Sequence, residues 1–104
     1  MKTITLRLSA GTLVLGPMLA ATMRDHAEGI AQWRDGALAA PELMLLTSQL
    51  ALACARRVEP TLTLEVVEGL VDMENFTQVM NACWGISVPE VLPGEAMQAV
   101  SPST

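Results

Sequence analysis

The chain has no tyrosine, one phenylalanine and two tryptophans among its 104 residues. Its interior must therefore be filled by aliphatic side chains. Seven methionines join many Leu, Ala and Val residues, and such flexible, medium-sized groups pack adaptably while specifying shape less sharply than rings do. Charge is equally sparse: 16% of residues are charged and 51% are hydrophobic. A small domain has too much surface to cover with so few charges, which favours a homo-oligomer or a chain that completes itself on a partner.

Basic clusters are missing as well. With a net charge of −5 and no cationic run longer than Arg56-Arg57, the sequence excludes the dense phosphate contacts that nucleic-acid binding needs. Reactive constellations are absent too. His26 is the only histidine, so neither a serine nor a cysteine nucleophile has a choice of base. The glycines are single and dispersed, which excludes a phosphate-cradling loop. Glu65 with Glu68, and Asp72 with Glu74, stand in opening helical turns, where they complement the helix dipole more simply than they would serve as acid and base. Cys54 and Cys83 fall inside apolar stripes, as buried thiols acting as small hydrophobes or, alternatively, as a disulfide. A metal site of His26, Cys54 and Cys83 has no local ligand spacing. The sequence therefore reads as non-enzymatic, with no catalytic residue, no metal and no cofactor.

What the chain does contain is periodicity. Ile4, Leu6 and Leu8 alternate with Thr5 and Arg7, the pattern of a half-buried strand, and after a turn at Ser9-Ala10-Gly11-Thr12 a return strand runs to Leu15. The same opening has a signal-like aspect, with Lys2 ahead of an apolar run that ends at Ala20-Ala21, so export with cleavage after about Ala21 is a competing expectation. Pro17 then opens a helix carrying Leu19, Met23, His26, Ile30 and Trp33, which Gly36 closes. On it, His26 reads as a hydrogen-bonded boundary residue. Pro41-Glu42 introduces Leu43 to Ala55, thirteen residues without a charge. That run falls short of the roughly 20 residues needed to cross a bilayer, so it reads as a buried helix. Leu43, Leu46, Leu50 and Cys54 mark one face, while Leu45 and Leu52 sit off it.

The densest signals lie in residues 61 to 85. Thr63 caps one helix, with Leu64, Val67 and Val71 on a single face. Asp72 caps the next, which carries Phe76, Val79, Met80 and Cys83, and Gly85 is expected to stop it. The spacing predicts an α+β, mostly helical fold: a hairpin over 3–15, then four helices near 18–35, 41–57, 63–71 and 73–84. Residues 1–86 form a single compact domain in this reading. Beyond it, 87–104 is a Pro-containing tail, either mobile or docked on a partner as an extended peptide.

In order, these features resemble the tail assembly chaperones of long-tailed bacteriophages, in the group found in Mu-like and related prophages. The resemblance covers about residues 3 to 87. It rests on the hairpin Thr3 to Leu15, the Ala/Leu-rich helix ending in Arg56-Arg57, the link Pro60 to Thr63, and the phrase Glu65-Val66-Val67-Glu68-Gly69-Leu70-Val71-Asp72-Met73-Glu74-Asn75-Phe76. It implies a non-enzymatic protein of the host cytoplasm that binds the tape-measure protein and helps recruit tail-tube subunits, often with a longer frameshifted form. Trp33, Leu45, Leu52, Phe76 and Trp84 are the expected partner-binding residues, because large apolar side chains anchor interfaces. The alternative is a small acidic helical adaptor or regulatory protein acting as a homo-oligomer.

Overall fold

The computed structural model describes residues 1–87, so the segment expected to be a tail lies outside the described residues from Val88 on. Two strands, β1 (Ile4–Leu8) and β2 (Gly11–Leu15), form an antiparallel hairpin in which Leu8 faces Gly11 and Ile4 faces Leu15. Five helices follow: α1 (Ala20–Asp25), α2 (Ala27–Arg34), α3 (Ala40–Ala55), α4 (Leu64–Glu68) and α5 (Phe76–Ser87). The α+β, mostly helical class is as the sequence predicts.

Alternation places Leu6, Leu13 and Leu15 on the inner face of the hairpin, where all three are buried. The hairpin is tied to α3 by the backbone. Gly16 N–H donates to the Cys54 carbonyl at 2.9 Å, and the Arg57 guanidinium donates to the Pro17 carbonyl at 2.8 Å. A Cβ on Gly16 would lie 2.8 Å from the Arg57 Cβ, so only glycine allows this approach. Leu6, Leu13, Leu15 and Met18 are thus integral to the core, which is why a short hairpin, marginal by itself, is held here.

α3 is the centre. It packs against β2, α2, α4 and α5, and Leu50, Ala51 and Cys54 are completely enclosed. Pro41 stands in its first turn, and the Glu42 carboxylate accepts from the Ala39 amide at 3.2 Å. The Thr47 hydroxyl, equally buried, donates to the Leu43 carbonyl at 2.7 Å.

Three expectations are corrected. The helix near 18–35 is two helices broken at His26, whose φ of −115° and ψ of 17° leave the helical region. The cause is a lack of tertiary cover: α1 buries no residue, and Leu19 and Met23 are exposed. The helices near 63–71 and 73–84 are shorter or displaced. α4 spans only Leu64–Glu68, and the chain turns through Gly69 to Asn75 before α5 begins. Gly85 does not end that helix, which runs through it to Ser87. Ile86 continues the stripe of Val79 and Cys83 against the core, and this packing outweighs the glycine. Gly36, by contrast, does terminate α2. It adopts φ 72°, and the Ala37 amide reaches back to the Gln32 carbonyl at 2.8 Å in a Schellman closure.

The cap at Thr63 is as expected, whereas Asp72, expected to cap the next helix, closes the turn ahead of α5, which begins only at Phe76. Thr63 Oγ1 accepts from the Val66 amide at 3.4 Å. Asp72 Oδ1 accepts from the amides of Glu74 at 2.9 Å and Asn75 at 2.8 Å. Asn75 returns the bond, its Oδ1 accepting from the Asp72 amide at 2.8 Å and its Nδ2 donating to the Leu70 carbonyl at 2.8 Å.

Two predictions follow from these local geometries. Asn75→Ala removes both returned bonds from a side chain only 8% exposed, and we expect a loss of about 2–3 kcal/mol in urea unfolding. The two glycines should respond in opposite directions to alanine. Gly85 is helical with open space around a Cβ, so Gly85→Ala should stabilise by about 0.5–1 kcal/mol. Gly36→Ala should destabilise by about 1 kcal/mol through its positive φ, and thermal melts read both signs.

Candidate functional site: an apolar groove beside Leu45

The sequence-predicted partner residues do not form one patch. Trp33 on α2 and Trp84 on α5 meet edge to face, with ring centroids 5.5 Å apart and planes inclined at 72°. The Arg34 guanidinium lies 5.7 Å from the centre of the Trp84 ring. Both tryptophans, with Phe76 and Leu52, are half-buried and lean on the core. Their apolar bodies already serve the fold, and the α2–α5 aromatic pair closes one end of it.

Leu45 differs. It is 48% exposed, on the amino-terminal half of α3. Beside it runs a groove of about 340 Å³, lined by Pro41, Met44, Leu45, Ser48, Glu68 and Val71. Its walls come from α3 on one side and from the end of α4 and the following turn on the other. Ser48 lies in this groove only 4% exposed. Among the described residues, Glu68 supplies the only charge on the lining. Periodicity marked Leu45 as off the main stripe, but Met44, Ser48 and Val71 gave no sign of forming a groove with it, since that depends on α4 stopping at Glu68.

A second hollow on the other flank of Leu45 is lined by Asp25, His26, Glu28, Gln32, Leu38 and Glu42 among others. His26 is half-buried there, at the α1–α2 break. It is remote in role from the cysteines, which meet each other inside the core. Cys54 on α3 and Cys83 on α5 are fully buried, not joined in a disulfide, and in thiol-to-thiol hydrogen bonding. Among the described residues, no three His, Cys, Asp or Glu side chains are placed to hold a metal ion. None of the described helices is long and apolar enough to cross a membrane. Neither a protein-family model, nor a curated protein, nor a solved structure matches this chain.

The thiol pair has a measurable consequence. The neighbouring Cys54 sulfur, then burial, push the Cys83 thiol far above its ordinary value of 9.0. The folded state therefore keeps this proton while the unfolded chain releases it. Stability is fully present below pH 9 and falls as pH rises above it, with a slope approaching about 1.4 kcal/mol per pH unit. With no tyrosine and Lys2 as the only lysine, few groups besides the two thiols titrate in that range. Urea unfolding between pH 7 and 10.5 under reducing conditions should show the decline, and Cys83→Ala, though less stable at pH 7, should make it shallower.

Proposed function

We propose that this chain is a non-enzymatic assembly chaperone that binds the tape-measure protein during phage tail assembly and helps recruit tail-tube subunits, acting as a homo-oligomer in the bacterial cytoplasm. The observation that carries this reading is the groove at Leu45: an apolar channel along a helix, open among the described residues and walled by Met44, Val71 and Pro41. Such a channel suits one apolar face of an amphipathic helix, the mode by which many helical clients are held. Methionine and leucine walls adapt to successive helical turns of differing sequence, which a long helical client would present. The order of sequence features from Thr3 to Phe76 supports the same reading by its resemblance to tail assembly chaperones.

The test is co-expression with the tape-measure protein. The wild-type chain should raise the soluble fraction of that client at least tenfold over expression alone. Leu45→Glu puts a carboxylate at the lip of the groove without touching the core, so its melting temperature should stay within about 2 °C of wild type, while most of the solubilising effect is lost. A client that precipitates equally with and without the chain would overturn the proposal.

A further inference from the structure

The fold brings together two thiols that the sequence keeps far apart. Cys54 stands in the last turn of α3 and Cys83 inside α5, and both side chains are completely enclosed in one core cluster. They are free thiols in hydrogen-bonding contact. Sulfurs in such contact stand only about 2 Å farther apart than in a disulfide, whose bond is ~2.05 Å. The two helices that carry them differ in how firmly they are held. The Cys54 carbonyl accepts from the Gly16 amide at 2.9 Å and from the Arg57 amide at 3.3 Å, and α3 is packed by β2, α2, α4 and α5, so Cys54 cannot leave without dissolving the core. α5 follows the Asp72–Asn75 corner and is the last of the described elements. It can swing out while the contacts of α3 with β2, α2 and α4 stay in place, and such sub-global opening exposes Cys83 first.

We propose that Cys54 and Cys83 form a redox latch: a small disulfide such as glutathione disulfide converts them to an intramolecular disulfide that fastens α5 to α3, and thiols reverse it. The exchange starts when α5 opens, because a thiol sealed in the core neither ionises nor meets a tripeptide. Cys83 gives its proton to solvent, and its thiolate attacks one sulfur of glutathione disulfide. That S–S bond breaks, and the first glutathione leaves as a thiolate that takes up a proton. When α5 closes, Cys54 loses its proton and its sulfur attacks the Cys83 sulfur of the mixed disulfide. The second glutathione leaves and is protonated in turn. Two protein thiols have been oxidised and one glutathione disulfide reduced to two thiols. Because the closed fold places Cys54 against Cys83 and shuts glutathione out, the second step outruns capture of another glutathione. The new bond closes the loop that runs from α3 through α4 to α5, which restricts the unfolded chain. Coupling is reciprocal, so the factor by which folding favours the disulfide is the factor by which the disulfide favours folding. Neither cysteine lines the groove at Leu45, so the latch and the client-binding reading stand or fall separately.

Equilibration of the full chain with glutathione and glutathione disulfide, quenched with acid and read by intact mass, tests it. Oxidised wild type should be lighter by about 2 Da and carry no glutathione. The equilibrium constant for forming the disulfide should be at least about tenfold higher in the folded chain than in concentrated urea, a comparison that needs no variant. Two single variants then test the route. Cys54→Ala should take up one glutathione at Cys83 at least about tenfold faster than Cys83→Ala takes one up at Cys54, since α5 opens and α3 does not. Two glutathiones on the wild-type chain, a constant no higher in the folded chain than in urea, or equal rates in the two variants would each overturn the proposal.

Discussion

The constraint on which the rest depends is that α3 is apolar around most of its circumference. A helix carrying Leu43, Leu46, Leu50 and Cys54 on one side, and Leu45 and Leu52 off it, cannot lie on a surface with its back to water. It must be surrounded. β2, α2, α4 and α5 do this, and each is too short to be stable alone, so their own order is drawn from the burial they gain against α3. The hairpin shows the dependence most directly: its closing tie is not a side-chain contact but the Gly16 amide bonded to the Cys54 carbonyl, where α3 ends.

The Asp72–Asn75 corner is the second constraint. Four hydrogen bonds lock the path from α4 to α5, and that path decides which face of α5 reaches the core. Val79 and Cys83 become fully enclosed and Met80 nearly so, and the Cys83 thiol is brought to Cys54. With two small sulfur-bearing side chains in contact, α3 and α5 approach closely, where larger residues would hold them apart. The aromatic pair Trp33–Trp84 then fills the space between α2 and the far part of α5.

Signals that act locally were legible in the sequence, and those that depend on tertiary cover were not. The cap at Thr63 involves an amide three residues away, so residue type and position sufficed to place it, and the same local signal at Asp72 marked a capped turn but not that the helix starts only at Phe76. The hairpin was legible from alternation, although the expected turn over Ser9 to Thr12 proved tighter, with β2 already beginning at Gly11 opposite Leu8. The break at His26 was invisible, because Leu19 and Met23 carry the right spacing for a stripe and only the structure shows that they stay exposed among the described residues. Gly85 misled for the opposite reason: glycine favours helix ends, but here Trp84 and Ile86 pack on the core on either side of it and hold the helix together. Asn75, which the sequence offered only as part of the phrase Glu65 to Phe76, proved to be a buried bracket joining Leu70 to Asp72. Of the five expected partner residues, Leu45 alone is exposed, since periodicity tells which face a side chain occupies and not whether another element comes to cover it.

The position of the groove has a geometric origin. α3 has 16 residues and is about 24 Å long at ~1.5 Å per residue. α2, with 8 residues, covers about 12 Å of that length, and α4, with 5, about 7.5 Å. Neither of these two can sheathe the helix from end to end. The carboxyl half is closed by β2 through Gly16 and by Arg57 reaching Pro17, while in the amino-terminal half Leu45 stays exposed and Met44 half-buried among the described residues. Extending α4 by a further turn toward the start of α3 would cover Leu45 and Met44 as Ser48 is already covered. The termination of α4 at Glu68, followed at once by the Gly69–Asn75 turn, is therefore what leaves this part of the surplus hydrophobicity at the surface of the described residues.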